Sequence, residues 1–71
     1  MLMRMRSHQY RVVVEGELGP RYAAAFAPLS LEVGDGTSTL SGEIRDQSEL
    51  KSVIDSVSRL GLALISVTPV E

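Results

Sequence analysis

Side chains that ordinarily do chemistry are scarce in this chain of 71 residues, which has one His, His8, and no Cys. Without Cys there is neither a disulfide nor a thiolate metal site, and His8 alone does not make a zinc site. Nucleophilic catalysis requires a nucleophile, a base and a group that orients the base. Ser7 adjoins His8, but no acid is placed to orient the ring. Paired carboxylates come next. Glu15 and Glu43 can share one sheet face, yet Arg11 and Arg45 alternate into that face, where ordinary cross-strand ion pairs are expected. The residues therefore predict a non-enzymatic protein with no metal and no cofactor.

Gly16-Glu17-Leu18-Gly19-Pro20-Arg21 falls between a strand and a helix, where glycine-rich loops cradle anions. The GK[ST] ending of a phosphate-binding loop is missing. An anion nest here would use an Arg in the loop and a nearby Asn; Arg21 is available, but the chain contains no Asn. Gly16, Gly19 and Arg21 are the candidate ligand-binding residues, and plain turn chemistry explains the same glycines without a ligand. Gly34-Asp35-Gly36 has too few carboxylates for a calcium loop and reads as a hairpin turn. Ser48, Ser52 and Ser56 recur every four residues, a row that admits another helix or, more simply, forms a solvated face with Lys51, Asp55 and Arg59.

The elements that must position these residues follow from periodicity. Met1 to His8 read as a tail that could extend the first strand, and residues 9–71 as one α+β domain. Tyr10, Val12 and Val14 alternate with Arg11, Val13 and Glu15, predicting a strand. Pro20 suits the first turn of a helix, and Pro28 ends that helix after about two turns. Leu29, Leu31 and Val33 predict a second strand. A third follows, with Leu40, Gly42 and Ile44 on one face and Thr39, Ser41, Glu43 and Arg45 on the other. Asp46 and Glu49 have the spacing of a capping box. Leu50, Val53, Ile54, Val57 and Leu60 then recur along one helical stripe, which Gly61 terminates. A last strand is expected from Leu62 to Thr68, ended by Pro69. The order β-α-β-β-α-β is the ferredoxin-like plan, an antiparallel sheet in strand order 4-1-3-2 with a short first helix. An alternative description, β-β-β-α-β, discounts that helix.

Composition narrows the function. The net charge is −2, from seven basic and nine acidic residues. Without Arg4 and Arg6 the balance is five against nine, a body that repels a phosphate backbone. Nucleic acid is not an expected partner. No apolar run reaches the roughly 20 residues of a membrane span, and no apolar stretch follows the leading Met-Arg segment as a secretory signal requires. A cytoplasmic location is expected, with which the absence of Cys agrees.

Two resemblances rest on the placed residues. Leu40-Ser41-Gly42-Glu43-Ile44-Arg45-Asp46-Gln47-Ser48-Glu49-Leu50, followed by Leu60-Gly61-Leu62-Ala63-Leu64-Ile65, resembles the pattern G-x-[LIV]-x-D-Q-x-x-L…LGL-x-L-[LI] of a family of small bacterial proteins of unassigned function. Tyr10 to Gly16 resembles that family's opening strand. The matched residues are mostly caps and core, so the likeness implies a fold and no activity. More remotely, the topology is similar to ACT-type regulatory domains. That likeness implies a small ligand held by the loop after the first strand, here Gly16 to Pro20, at a dimer interface.

Two turns of alanine-rich helix look insufficient to shield Leu29, Leu31, Val33, Leu40 and Ile44. With Phe26, these form the expected interface, because soluble monomers avoid exposing such a patch. A second copy could cover it, or second strands could pair at the sheet edge. The leading expectation is a protein–protein interaction module, a homodimer or a domain docked on a partner protein. The alternatives are an ACT-like ligand sensor and a small dimeric cofactor-free enzyme.

Overall fold

The computed structural model describes residues 8–70. The element order is β1 (His8–Glu15), α1 (Pro20–Ala25), β2 (Ser30–Gly34), β3 (Thr37–Ile44), α2 (Gln47–Arg59) and β4 (Leu64–Val70). The four strands form one antiparallel sheet in the order β2-β3-β1-β4. The chain is thus α+β, with a four-stranded antiparallel sheet and two helices. The start of β1 and the end of β4 lie side by side, since Gln9 pairs with Val70.

Alternation along the central strands sets the two faces. Val12 pairs with Leu40 and Val14 with Ser38, and directly opposed residues share a face. Val12, Val14, Leu40 and Ile44 are buried there with Phe26, Leu29 and Val57. The other face carries Gln9, Arg11, Val13 and Glu15 beside Thr37, Thr39, Ser41 and Glu43, and none of these is buried.

Helix α2 is specified by its ends. The Asp46 side chain accepts from the Glu49 N–H at 2.8 Å. Glu49 reaches back one residue further than a capping box does, accepting from the Arg45 N–H at 2.6 Å. At the far end Leu62 N donates to Val57 O and Gly61 N to Ser58 O, both at 3.0 Å, the bonding pattern of a Schellman cap. Helix α1 has neither device. Gly19 is its N-cap with no side-chain hydrogen bond, and none of its six residues is buried.

Four expectations need correction. His8 belongs to β1 rather than to a tail; residues 1–7 lie outside the described residues. Strand β4 continues through Pro69 to Val70. It is an edge strand, and there a proline whose missing N–H would face outward removes no ladder bond. The shielding of the apolar side is also better than two helical turns suggest. Phe26, Leu29, Leu40 and Ile44 are buried within one copy. Leu29, just outside β2, achieves this by seating on Gly42, where a Cβ would lie 2.8 Å from Leu29 Cδ2. Lastly, the cross-strand ion pairs do not form among the described residues: Arg45 pairs with Glu49 on α2, and Arg11 sits between Ser41 and Thr68.

Candidate functional site

The three candidate ligand residues are placed around the loop from β1 to α1, and most of that loop's polar groups are engaged internally. Gly16 N–H donates to Gly36 O at 2.7 Å, and Gly16 O accepts from the Ser38 hydroxyl at 2.7 Å. Leu18 N–H donates to the same Ser38 oxygen at 2.9 Å. The Glu17 carboxylate accepts from Gly36 N–H at 2.9 Å. Gly19 O accepts from Tyr22 N–H at 3.0 Å, while Arg21 is exposed on α1. The arrangement clasps the loop to the β2–β3 turn. Two of the N–H groups that an anion would need, on Gly16 and Leu18, are already committed.

Ser38 belongs to none of the sequence motifs. It is fully buried, and its hydroxyl both donates and accepts, which satisfies a polar group that would otherwise be costly to bury. A signal for it exists: Ser38 has the parity of Leu40 and Ile44 on β3, so a polar residue falls on the core face of that strand.

The remaining chemical candidates stay apart. His8 is exposed at the start of β1, edge-on to Tyr10 with ring centroids 6.4 Å apart. Glu15 faces Thr37 at one end of the open face and Glu43 faces Gln9 at the other. Among the described residues no group of three or more His, Asp or Glu side chains could hold a metal ion. No described helix is long and apolar enough to cross a membrane.

Two shallow grooves lie along α2. One of about 200 Å³ is lined by Phe26, Leu29, Ile44, Val53, Glu49 and Ser52, among others. A second of about 210 Å³ is lined by Ala25, Ser56, Arg59 and Leu60. Ser52 and Ser56 of the serine row therefore border open space rather than a helix contact.

Of the expected interface residues, Leu31 and Val33 remain at the surface. Leu31 is half-buried and Val33 is 46% exposed. Both lie on β2, an outer strand of the sheet. The other edge, β4, carries exposed Leu64 and Ile65, an irregular register opposite Val13 and Val14, and Pro69.

A family model, "Domain of unknown function (DUF8691)", matches residues 9–68, and the chain belongs to that family. No curated protein and no solved structure matches it.

Proposed function

We propose that this DUF8691 domain is a non-enzymatic protein–protein interaction module that works as a homodimer or docks on a partner protein. The observation that carries the proposal is the contrast between spent chemistry and an open edge. The polar groups of the β1–α1 loop are largely used inside the fold, whereas among the described residues β2 leaves one side of its backbone unpaired and exposes Val33. An unpaired strand edge is a template for another chain.

The alternatives draw less support. A ligand sensor using Gly16, Gly19 and Arg21 would have to break the clasp onto Ser38 and Gly36. A cofactor-free enzyme needs a pocket of ~300 Å³ or more, and each groove along α2 is smaller within one chain. Nucleic acid is disfavoured by the acidic balance of the chain. The open sheet face also offers no aromatic ring for base stacking, because Tyr10 lies on the same side as Val12 and Val14. We infer a ferredoxin-like plan from the element order together with the strand order, which read from the other edge is β4-β1-β3-β2. A cytoplasmic setting accords with the lack of Cys.

Sedimentation equilibrium over about 1–50 μM tests the homodimer, since a micromolar association appears in that range. Dimerisation is the expected result. A purely monomeric fit throughout removes the homodimer and leaves only the partner-docking form of the module.

A further inference from the structure

Resting on the homodimer form of that function, we propose that β2 pairs antiparallel with β2 of a second copy, about a two-fold axis through Glu32. The two Glu32 carboxylates then face each other and hold the association weak.

The backbone of the hairpin supplies the first argument. Asp35 and Gly36, with φ of 56° and 79°, form its two-residue turn between paired Gly34 and Thr37. In such a turn the flanking residues are a hydrogen-bonded pair, and bonded and non-bonded pairs alternate from there. Glu32–Thr39 and Ser30–Ser41 are then bonded pairs, whereas Leu31–Leu40 and Val33–Ser38 are not. Leu31 and Val33 turn their N–H and C=O groups toward the free edge. On the far side of β3 the same alternation agrees with the bond from Gly16 N–H to Gly36 O.

These outward groups are symmetric about Glu32, so a second β2 is their natural complement. With Glu32 on the axis, Leu31 opposes the partner's Val33, and by symmetry Val33 opposes the partner's Leu31. Each pair exchanges two backbone bonds, about four in all. A register centred on Leu31 would need Leu29, whose N–H already donates to Phe26 O at 2.9 Å. One centred on Val33 would set Leu31 against Asp35, which lies in the turn at φ 56°. The Glu32-centred register therefore completes the most bonds, and it lays the half-buried Leu31 against the exposed Val33 of the partner.

The other edge explains why the pairing closes. Gln9, Arg11 and Val13 pair with Val70, Thr68 and Ser66 in antiparallel register, and the alternation leaves Val67 and Pro69 facing outward on β4. Pro69 has no N–H to give, and the irregularity near Ile65 breaks the edge again. Pairing of β2 with β4, which would propagate head to tail, is blocked. Pairing of β2 with itself remains.

Glu32 sets the strength. It lies on the open face opposite Thr39 and is exposed. In the proposed register it opposes its own copy in a non-hydrogen-bonded pair, where side chains approach most closely. Like charges directly opposite are destabilising.

The test mixes the wild-type chain, fluorescently labelled, with unlabelled Glu32→Lys and follows association by sedimentation velocity. Each chain alone carries facing like charges, whereas the mixed dimer sets Glu against Lys. The mixed dimer should be about 2- to 30-fold tighter than either homodimer, from the swing between repulsive and attractive cross-strand pairs. Val33→Pro is the second variant. Its lost N–H points away from β3, so the hairpin keeps its ladder, and dimerisation should be abolished. Dimers that ignore both substitutions overturn the β2 register and leave the homodimer standing. No association in any sample, mixed or alone, overturns both.

Discussion

Between β1 and α1 the chain is held by residues far along the sequence. Ser38 bonds Leu18 across a separation of 20 residues and Gly16 across 22. Between β3 and α2 it is held by near neighbours, Asp46 with Glu49 and Glu49 with Arg45, at separations of 3 and 4. The second connection can form as soon as its helix does. The first requires the β2–β3 hairpin to be docked on β1. The helices differ in the same sense. Six residues with no side-chain cap fall far below the roughly 12–15 needed for marginal stability alone. The thirteen of α2 carry an N-cap, a Schellman cap and an apolar stripe. The first half of the domain thus depends on tertiary contacts, and the second is largely specified in place.

The sharpest way to break this contrast is Ser38→Ala. It removes the partner of Leu18 N–H and Gly16 O together, and should cost about 1–3 kcal/mol in chemical denaturation. Exchange of the Leu18 amide should accelerate with it. An unchanged midpoint and unchanged exchange would show that the clasp contributes nothing. Next comes Asp46→Ala, expected to cost about 0.5–2 kcal/mol while leaving the proposed self-association unaffected. Weakened association at an unchanged Tm would instead give Asp46 a role in the proposed pairing.

The two substitutions together test whether the connections are independent. Ser38 and the end of β3 at Ile44 are six residues apart on one strand, roughly 20 Å, and the two hydrogen-bond sets share no partner. The double variant should be additive within about 0.5 kcal/mol. A larger coupling term would mean that the halves communicate through β3. The smallest effect is expected from Lys51→Ala, which removes the exposed pair with Asp55 at 3.7 Å. A loss of at most about 0.5 kcal/mol is expected there, and a larger loss by thermal melting would point to a contact of the lysine stem.

What could be seen in the sequence follows the same division. Helix α2 and the Asp35–Gly36 turn were legible because their determinants sit within a few residues of one another. The end of strand β4 is not legible at Pro69, since being on an edge is a property of the assembled sheet. The apolar patch left at the surface is smaller than the sequence suggests for a similar reason. Whether Leu29 and Phe26 are covered depends on Gly42 leaving room across the hairpin, a pairing that helix length alone does not reveal. Ser38 was accessible only through its parity with Leu40, and its partners Gly16 and Leu18 become visible once β1 and β3 are in register. The ligand loop was the most misleading feature, because glycines that free a turn and glycines that admit an anion look alike until their neighbours' hydrogen bonds are assigned.

The pairing of Gln9 with Val70 bears on how this domain could be carried within a larger polypeptide. The two strands enter and leave the sheet side by side, on the order of 5 Å apart. A host protein could therefore receive the whole unit in a surface loop with little separation of the loop's own ends, as tolerated domain insertions require. The same geometry suits a circularly permuted chain. A short linker across that gap, with new ends opened at the exposed Asp35–Gly36 turn, would cut the β2–β3 hairpin into two separately delivered strands. Sheet formation would then have to proceed from the β1–β4 side.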